Sequence, residues 1–95
     1  MAKYKIFLSK KYVRDLKLLK KRKDFDVEAL AETLLKLSNG EILDKKYKDH
    51  KLQNSRNYKN CRECHITNDW LLIYRIDNDN LLLLLLRTGT HSDLF

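Results

Sequence analysis

The sequence predicts an α+β fold: two N-terminal helices packed on a small, mainly antiparallel sheet, in the order β-α-α-β-β-β. Three observations carry this. Apolar residues recur at helical spacing between Tyr12 and Leu37. The period then changes, and three strand-like runs follow residue 60. Short turns rich in Asn and Asp separate those runs, as in an antiparallel meander. Helices followed by a block of strands fit a layer of helices on one sheet face.

Taken in order, Tyr4 to Leu8 alternates with Lys3 and Lys5 and predicts a short strand. Ser9 is placed to cap the first helix, whose apolar stripe is Tyr12, Val13, Leu16 and Leu19. Arg22 and Lys23 are expected in its last turn, where cations suit the helix dipole. Asp24 or Asp26 caps a second helix with the stripe Val27, Leu30, Ala31, Leu34 and Leu37. Asn39-Gly40 ends it with a left-handed residue. Residues 41–60 are polar, and a short strand near His50 is the one element they suggest. Cys61–Ile66, Trp70–Ile76 and Leu81–Arg87 are the meander strands, joined by Thr67-Asn68-Asp69 and Asp77-Asn78-Asp79-Asn80. The last strand is apolar at every position before Arg87, which predicts a central strand covered on both faces.

A chain of 95 residues fits one domain. Its longest apolar run, Leu81–Leu86, is strand-sized, far short of the roughly 20 residues that span a bilayer. The N-terminus has no apolar stretch of signal-peptide length, so the expected location is cytoplasmic, with no membrane partner. The formal charge of +7 is uneven. Residues 1–60 hold 17 Lys and Arg against 8 Asp and Glu, a balance of +9; residues 61–95 hold 3 against 5, a balance of −2. That asymmetry points to a polyanionic partner, nucleic acid before an anionic membrane. The basic residues fall in two groups. Lys10, Lys11, Arg14, Lys17, Lys20 and Lys21 surround the first helix, and Lys45, Lys46, Lys48 and Lys51 crowd the polar loop. Both groups are expected to hold RNA phosphates, against the plainer reading of a solvated face.

Cys61-Arg62-Glu63-Cys64-His65 has the pattern of a c-type haem attachment site. Haem attachment goes with export, and in a strand the two cysteines would face opposite ways. A zinc site would have only two sulfurs and one nearby imidazole. The preferred reading is two reduced cysteines, one in the core and one near the surface, with no metal and no cofactor.

The three histidines give a second constellation. His65 precedes the turn that holds Asp69, and His91 follows Arg87 in a terminal loop. Two imidazoles and a guanidinium around one cleft suit phosphodiester cleavage. A base takes the ribose 2′-hydroxyl proton, an acid protonates the 5′-oxygen, and a cation steadies the phosphorane. Spacing alone does not separate this from three ordinary histidines. Glu63, Asp69, Asp77 and Asp79 lack the mutual spacing of a two-metal nuclease site. Trp70 could stack on a base, but a large aromatic in this position is more often core.

Four stretches, Tyr47–Leu52, Cys61–Ile66, Asp69–Ile76 and the ending Leu86-Arg87-Thr88-Gly89-Thr90-His91-Ser92-Asp93-Leu94-Phe95, resemble the YafQ branch of the RelE toxin superfamily. The ending is the most specific piece. The resemblance covers about half the chain by motif and all of it by length and element order. It implies a sheet with two helices against it and ribosome-dependent cleavage of mRNA in the A site. It also implies control by a tightly bound cognate antitoxin. By the same resemblance His50, His65 and His91 are catalytic histidines, with His50 as general base and His91 as general acid. Asp69 matches the family's catalytic Asp, Arg87 its phosphate-contacting Arg, and Phe95 its C-terminal aromatic, which could stack on the A-site codon. Two rivals share the scaffold: an RNA-binding or regulatory module, and a toxin against another target such as gyrase.

Overall fold

In the computed structural model, residues 2–53 and 56–95 are described. The elements run β1 (Lys5–Leu8), α1 (Lys10–Leu19), α2 (Val27–Ser38), a 3-10 turn (Lys45–Tyr47), β2 (His50–Lys51), β3 (Arg62–Thr67), β4 (Trp70–Asp77), β5 (Leu82–Gly89) and α3 (His91–Leu94). The strands form one sheet in the order β1-β5-β4-β3-β2. The three pairs from β2 to β5 are antiparallel, and β1 pairs parallel with β5. The α+β class and the meander are as predicted.

Local chemistry sets the helix limits. Ser9 Oγ accepts the Tyr12 N–H and starts α1; Asp26 does the same for α2 through Ala29 N–H. Gly40 (φ +78°) closes α2. Its N–H donates to Leu37 O and the Glu41 N–H to Lys36 O, the paired bonds of a Schellman ending. The left-handed φ is what calls for glycine there; the nearest neighbour of an added Cβ would be the flexible Lys3 side chain.

The core lies between the two long helices and one sheet face. Tyr12, Leu19, Leu30 and Leu37 meet Cys64, Ile66, Trp70, Leu72, Tyr74, Leu83 and Leu85. Trp70 is a core residue, tilted against Phe25 at 5.3 Å with its indole N–H donating to Thr88 Oγ1 at 2.7 Å. Burying a side chain of this size contributes about 1.5–3 kcal/mol.

Several details differ from the sequence reading. Arg22 and Lys23 lie beyond α1, which ends at Leu19. The stripe of α2 runs through Leu30, Thr33 and Leu37, leaving Val27 and Ala31 exposed. Thr33 is tolerated there because its hydroxyl donates to Ala29 O at 2.8 Å. β5 is interior to the sheet, yet of its leucines only Leu83 and Leu85 are fully buried while Leu82, Leu84 and Leu86 are half-covered. Both long helices cover one face, so the other stays partly open. Cys61 and Cys64 are both buried free thiols, contrary to the expectation of one near the surface. The last five residues, expected as loop, contain α3. No helix among the described residues is long and apolar enough to cross a membrane.

Candidate active site

The sheet face away from the long helices holds several of the sequence-selected side chains. Residues paired across neighbouring strands project to the same face, and His50 pairs with Glu63, Glu63 with Ile73, and Ile73 with Arg87. These four form one row across β2, β3, β4 and β5. At the usual strand spacing, the His50 and Arg87 backbones are roughly 14 Å apart. Between them the row is filled by the buried Glu63 and Ile73, so His50 and Arg87 stand at its two ends. His65 shares this face two residues further along β3, where it pairs with Leu71.

His50 is set by the bend before β2. Lys48 adopts a left-handed conformation (φ +49°), at a cost of about 1 kcal/mol, and turns its carbonyl toward the ring. The His50 Nδ1 lies 2.7 Å from Lys48 O. A carbonyl only accepts, so Nδ1 carries the hydrogen and the neutral ring keeps its lone pair on Nε2. That Nε2 is 3.7 Å from the carboxylate of Glu63, a buried acid. Asp49 pins the bend to the sheet. It accepts from Arg62 Nε (3.3 Å) and Nη2 (3.0 Å) and from the Tyr74 hydroxyl (2.5 Å). Burial first, then this hydrogen bond and the Asp49 charge, push the Tyr74 phenol far above its ordinary range. It stays a donor.

Arg87 ends the row. A register shift between Ile73 and Tyr74 makes Leu86 an extra residue and aims Arg87 along the row. Asp15 of α1 receives its Nε at 2.6 Å and Nη2 at 3.1 Å. Those hydrogen bonds push the guanidinium further above its ordinary range, so the charge is permanent. Its Nη1 lies 3.3 Å from the Tyr58 hydroxyl.

The terminus reaches the row through rings. The His91 and Phe95 rings lie 5.1 Å apart, and Phe95 meets Tyr58 edge-on at 6.5 Å. Tyr58 therefore bridges Arg87 and the terminal pair. α3 starts with a capping box: Thr90 Oγ1 accepts the Asp93 N–H, and Asp93 accepts the Thr90 N–H. Asp93 also accepts from Arg22 at 3.1 Å. A Cβ on Gly89 would sit 3.1 Å from the Asp93 Cβ, so glycine permits this fold-back.

Of the residues selected from sequence, His50 and Arg87 share the row and His91 and Phe95 adjoin it. His65 and Asp69 lie at the β3–β4 turn end. The Nδ1 of His65 is 3.2 Å from Asn68 O, and Asp69 lines a hollow with Arg22, Trp70 and Thr90. The basic residues of both groups are exposed. Glu63, Asp15 and Tyr58 were missed. Glu63 lay within a flagged motif but was weighed only as a metal ligand, and Asp15 and Tyr58 carry no local signal. Among the described residues no group of three His, Cys, Asp or Glu side chains is gathered to hold a metal ion.

Comparison with known proteins gives a consistent picture. A family model described as bacterial toxin of type II toxin–antitoxin system, YafQ, matches residues 4–95. The mRNA interferase toxin YafQ of Escherichia coli K12 is 43% identical over 88 residues, spanning 92% of this chain and 90% of that protein. A crystal structure of a metal-bound toxin from Helicobacter pylori superposes with a TM-score of 0.87 at 41% identity, covering all of both chains. A chain of the E. coli DinJ–YafQ toxin–antitoxin complex superposes at 0.84 and 39% identity, covering 98% of each.

Proposed function

This chain belongs to the YafQ family of bacterial type II toxins, and on that premise we propose that it is an endoribonuclease that cuts mRNA in the ribosomal A site. The observation that carries the reading is the row of His50, Glu63 and Arg87 on the sheet face away from the long helices, with His91 and Phe95 linked to it through Tyr58.

His50 Nε2 takes the ribose 2′-hydroxyl proton, and the freed 2′-oxygen attacks the adjacent phosphorus. Glu63 steadies the imidazolium that results. Arg87 binds the phosphorane oxygens through its forked donors. The bond from phosphorus to the 5′-oxygen breaks, the electron pair leaves with that oxygen, and protonated His91 supplies its proton. His65 and Asp69, at the β3–β4 turn end, contact the message beside the scissile step, and Phe95 stacks on a base of the codon. The exposed lysines of α1 and of the Lys45–Lys51 segment hold ribosomal RNA phosphates. The chemistry needs no metal or other cofactor. A cognate antitoxin silences the toxin in the cytoplasm; the capture of the E. coli relative in a complex with DinJ supports a partner of that kind.

The decisive experiment is cleavage of a ribosome-bound message with a 2′-deoxy sugar at the scissile position. Cutting should stop there and continue at ribose, leaving a 2′,3′-cyclic or 3′-phosphate and a 5′-hydroxyl. It should also persist with divalent ions chelated, provided the ribosomes are held together by other means. The rate should be bell-shaped in pH, because one imidazole must be neutral and another protonated. Products with 5′-phosphates, or cutting at the deoxy site, would overturn the mechanism.

A further inference from the structure

We propose that Asp15 is a positioning residue for Arg87, fixing the guanidinium side-on so that its far edge is presented to the phosphate. The proposal rests on the reading of Arg87 as the phosphate-holding group.

Asp15 is the one acid in α1, between Arg14 and Lys17 on a strongly basic helix. An acid on such a helix would ordinarily pair with lysines in solvent. Its side chain is instead 14% exposed and turned to β5. It accepts three hydrogen bonds there: Arg87 Nε at 2.6 Å, Arg87 Nη2 at 3.1 Å and Thr88 N–H at 3.2 Å. Thr88 is itself fixed, with Oγ1 donating to Leu71 O at 2.8 Å and accepting the Trp70 indole N–H at 2.7 Å. One carboxylate thus holds the side chain of residue 87 and the backbone just past the β-bulge.

Which edge Asp15 occupies decides its role. It takes the Nε–Nη2 side of the fork. The Nη1–Nη2 end remains for a second oxyanion, and the Tyr58 hydroxyl beside Nη1 borders that end. Arginine has five N–H donors in a rigid plane, so filling the side edge orients the end edge without consuming it. An inhibitory latch would occupy the end that the phosphate needs. A misplacement of about 1 Å at a reacting group can cost on the order of 100-fold in rate.

The test is a double-substitution cycle on ribosome-bound message, with a spectroscopic arm. Asp15→Asn replaces one acceptor oxygen by an NH2 that repels the guanidinium. It should lower kcat by roughly 10- to 100-fold with little change in KM. In an Arg87→Ala background the same substitution should have no further effect. Asp15→Glu, which keeps the charge on a longer arm, should recover part of the loss. In the 15N spectrum the Arg87 Nε–H should be shifted and slow to exchange in wild type and in the Glu variant, and averaged with solvent in the Asn variant. Faster cleavage by Asp15→Asn, or the same loss with and without Arg87, overturns the proposal, as does an unchanged Nε–H signal in that variant. A wild-type protein that cuts no message defeats the nuclease reading, and the Nε–H signal then decides on Asp15 by itself.

Discussion

The two ends of the site are built differently. The His50–Glu63–Ile73–Arg87 row sits on a hydrogen-bonded sheet, with Ile73 fully buried within it and Cys64 and Leu72 beside it. α3, which carries His91 and leads to Phe95, has no buried residue. A four-residue helix does not stand by itself. It is held by a capping box, two aromatic contacts and the Arg22–Asp93 pair, whose side chains are about two-fifths exposed. A pair that exposed contributes about 0–1 kcal/mol. On the proposed roles, the difference teaches that the base and phosphate-holder would come with the fold, whereas the acid would depend on docking of a weakly held element. Local opening would remove one catalytic group and leave the rest intact.

The largest effect should come from deleting the proposed acid. His91→Ala is expected to lower cleavage by about 10²–10⁴. Its melting transition should match wild type to within about 0.5 kcal/mol, as for other exposed sites. Ile73→Ala, in the middle of the row, should cost about 2–5 kcal/mol of stability. Thermal melts of both beside activity assays check the contrast. A His91→Ala protein destabilised as much as the Ile73 variant would mean that α3 is integral to the fold.

A smaller effect should follow from loosening α3 while keeping His91. Asp93→Ala removes the acceptor for the Thr90 N–H and for Arg22. Losing such a cap costs about 1 kcal/mol, which corresponds to roughly a five- to tenfold loss of the docked state and of rate. Hydrogen exchange should quicken in residues 91–95 and stay unchanged in β3 and β4. The wild-type carboxyl lies below its ordinary value, held there first by the Thr90 backbone N–H and then by the Thr90 side chain and Arg22. A depressed carboxyl stabilises above its unfolded value and loses that contribution as pH falls through the folded one. The anchoring is therefore constant from pH 5 to pH 8.

The same contrast explains what was legible in the sequence. The caps Ser9 and Asp26, the Gly40 ending and the meander turns are local signals, and the chain obeys them. The parallel pairing of β1 with β5 is not local; it joins residues more than 70 positions apart. The Asp15–Arg87 pair is hidden for the same reason, since an acid in a basic helix looks like solvent-side charge until β5 is laid against it. Tyr58 lies in a polar segment with no periodicity. α3 was legible and passed over. Thr90-His91-Ser92-Asp93 follows the capping-box spacing, and a preceding Arg-Thr-Gly made it look like loop. The candidate residues themselves were found through the resemblance, because isolated histidines carry no spacing rule.

The smallest effect, on the chemistry of the two cysteines, gives the sharpest test of whether the two regions open separately. Cys64 is fully buried in the helix-side core, and burial, with the Asp49 and Glu63 charges adding to it, pushes its thiol up to about 12. Cys61 is 2% exposed, and burial raises its thiol too, against a lowering by Arg75. The thiolate is the reactive form. At pH 8 a thiol with a pKa near 12 has on the order of a thousandfold less thiolate than a free one. Alkylation of Cys64 must then wait for the sheet to open, and its rate reports on that opening. Asp93→Ala loosens α3 at the far side of the row, so it should leave the rate of thiol labelling unchanged while cleavage falls. Ile73→Ala should speed labelling by about the factor its lost stability sets, tenfold for each 1.4 kcal/mol if opening is global. Matched labelling of wild type and Asp93→Ala, followed by mass spectrometry at each cysteine, reads this directly. Faster labelling in Asp93→Ala would mean that α3 and the strand row open as one unit, and the acid would then be as firmly built into the fold as the base.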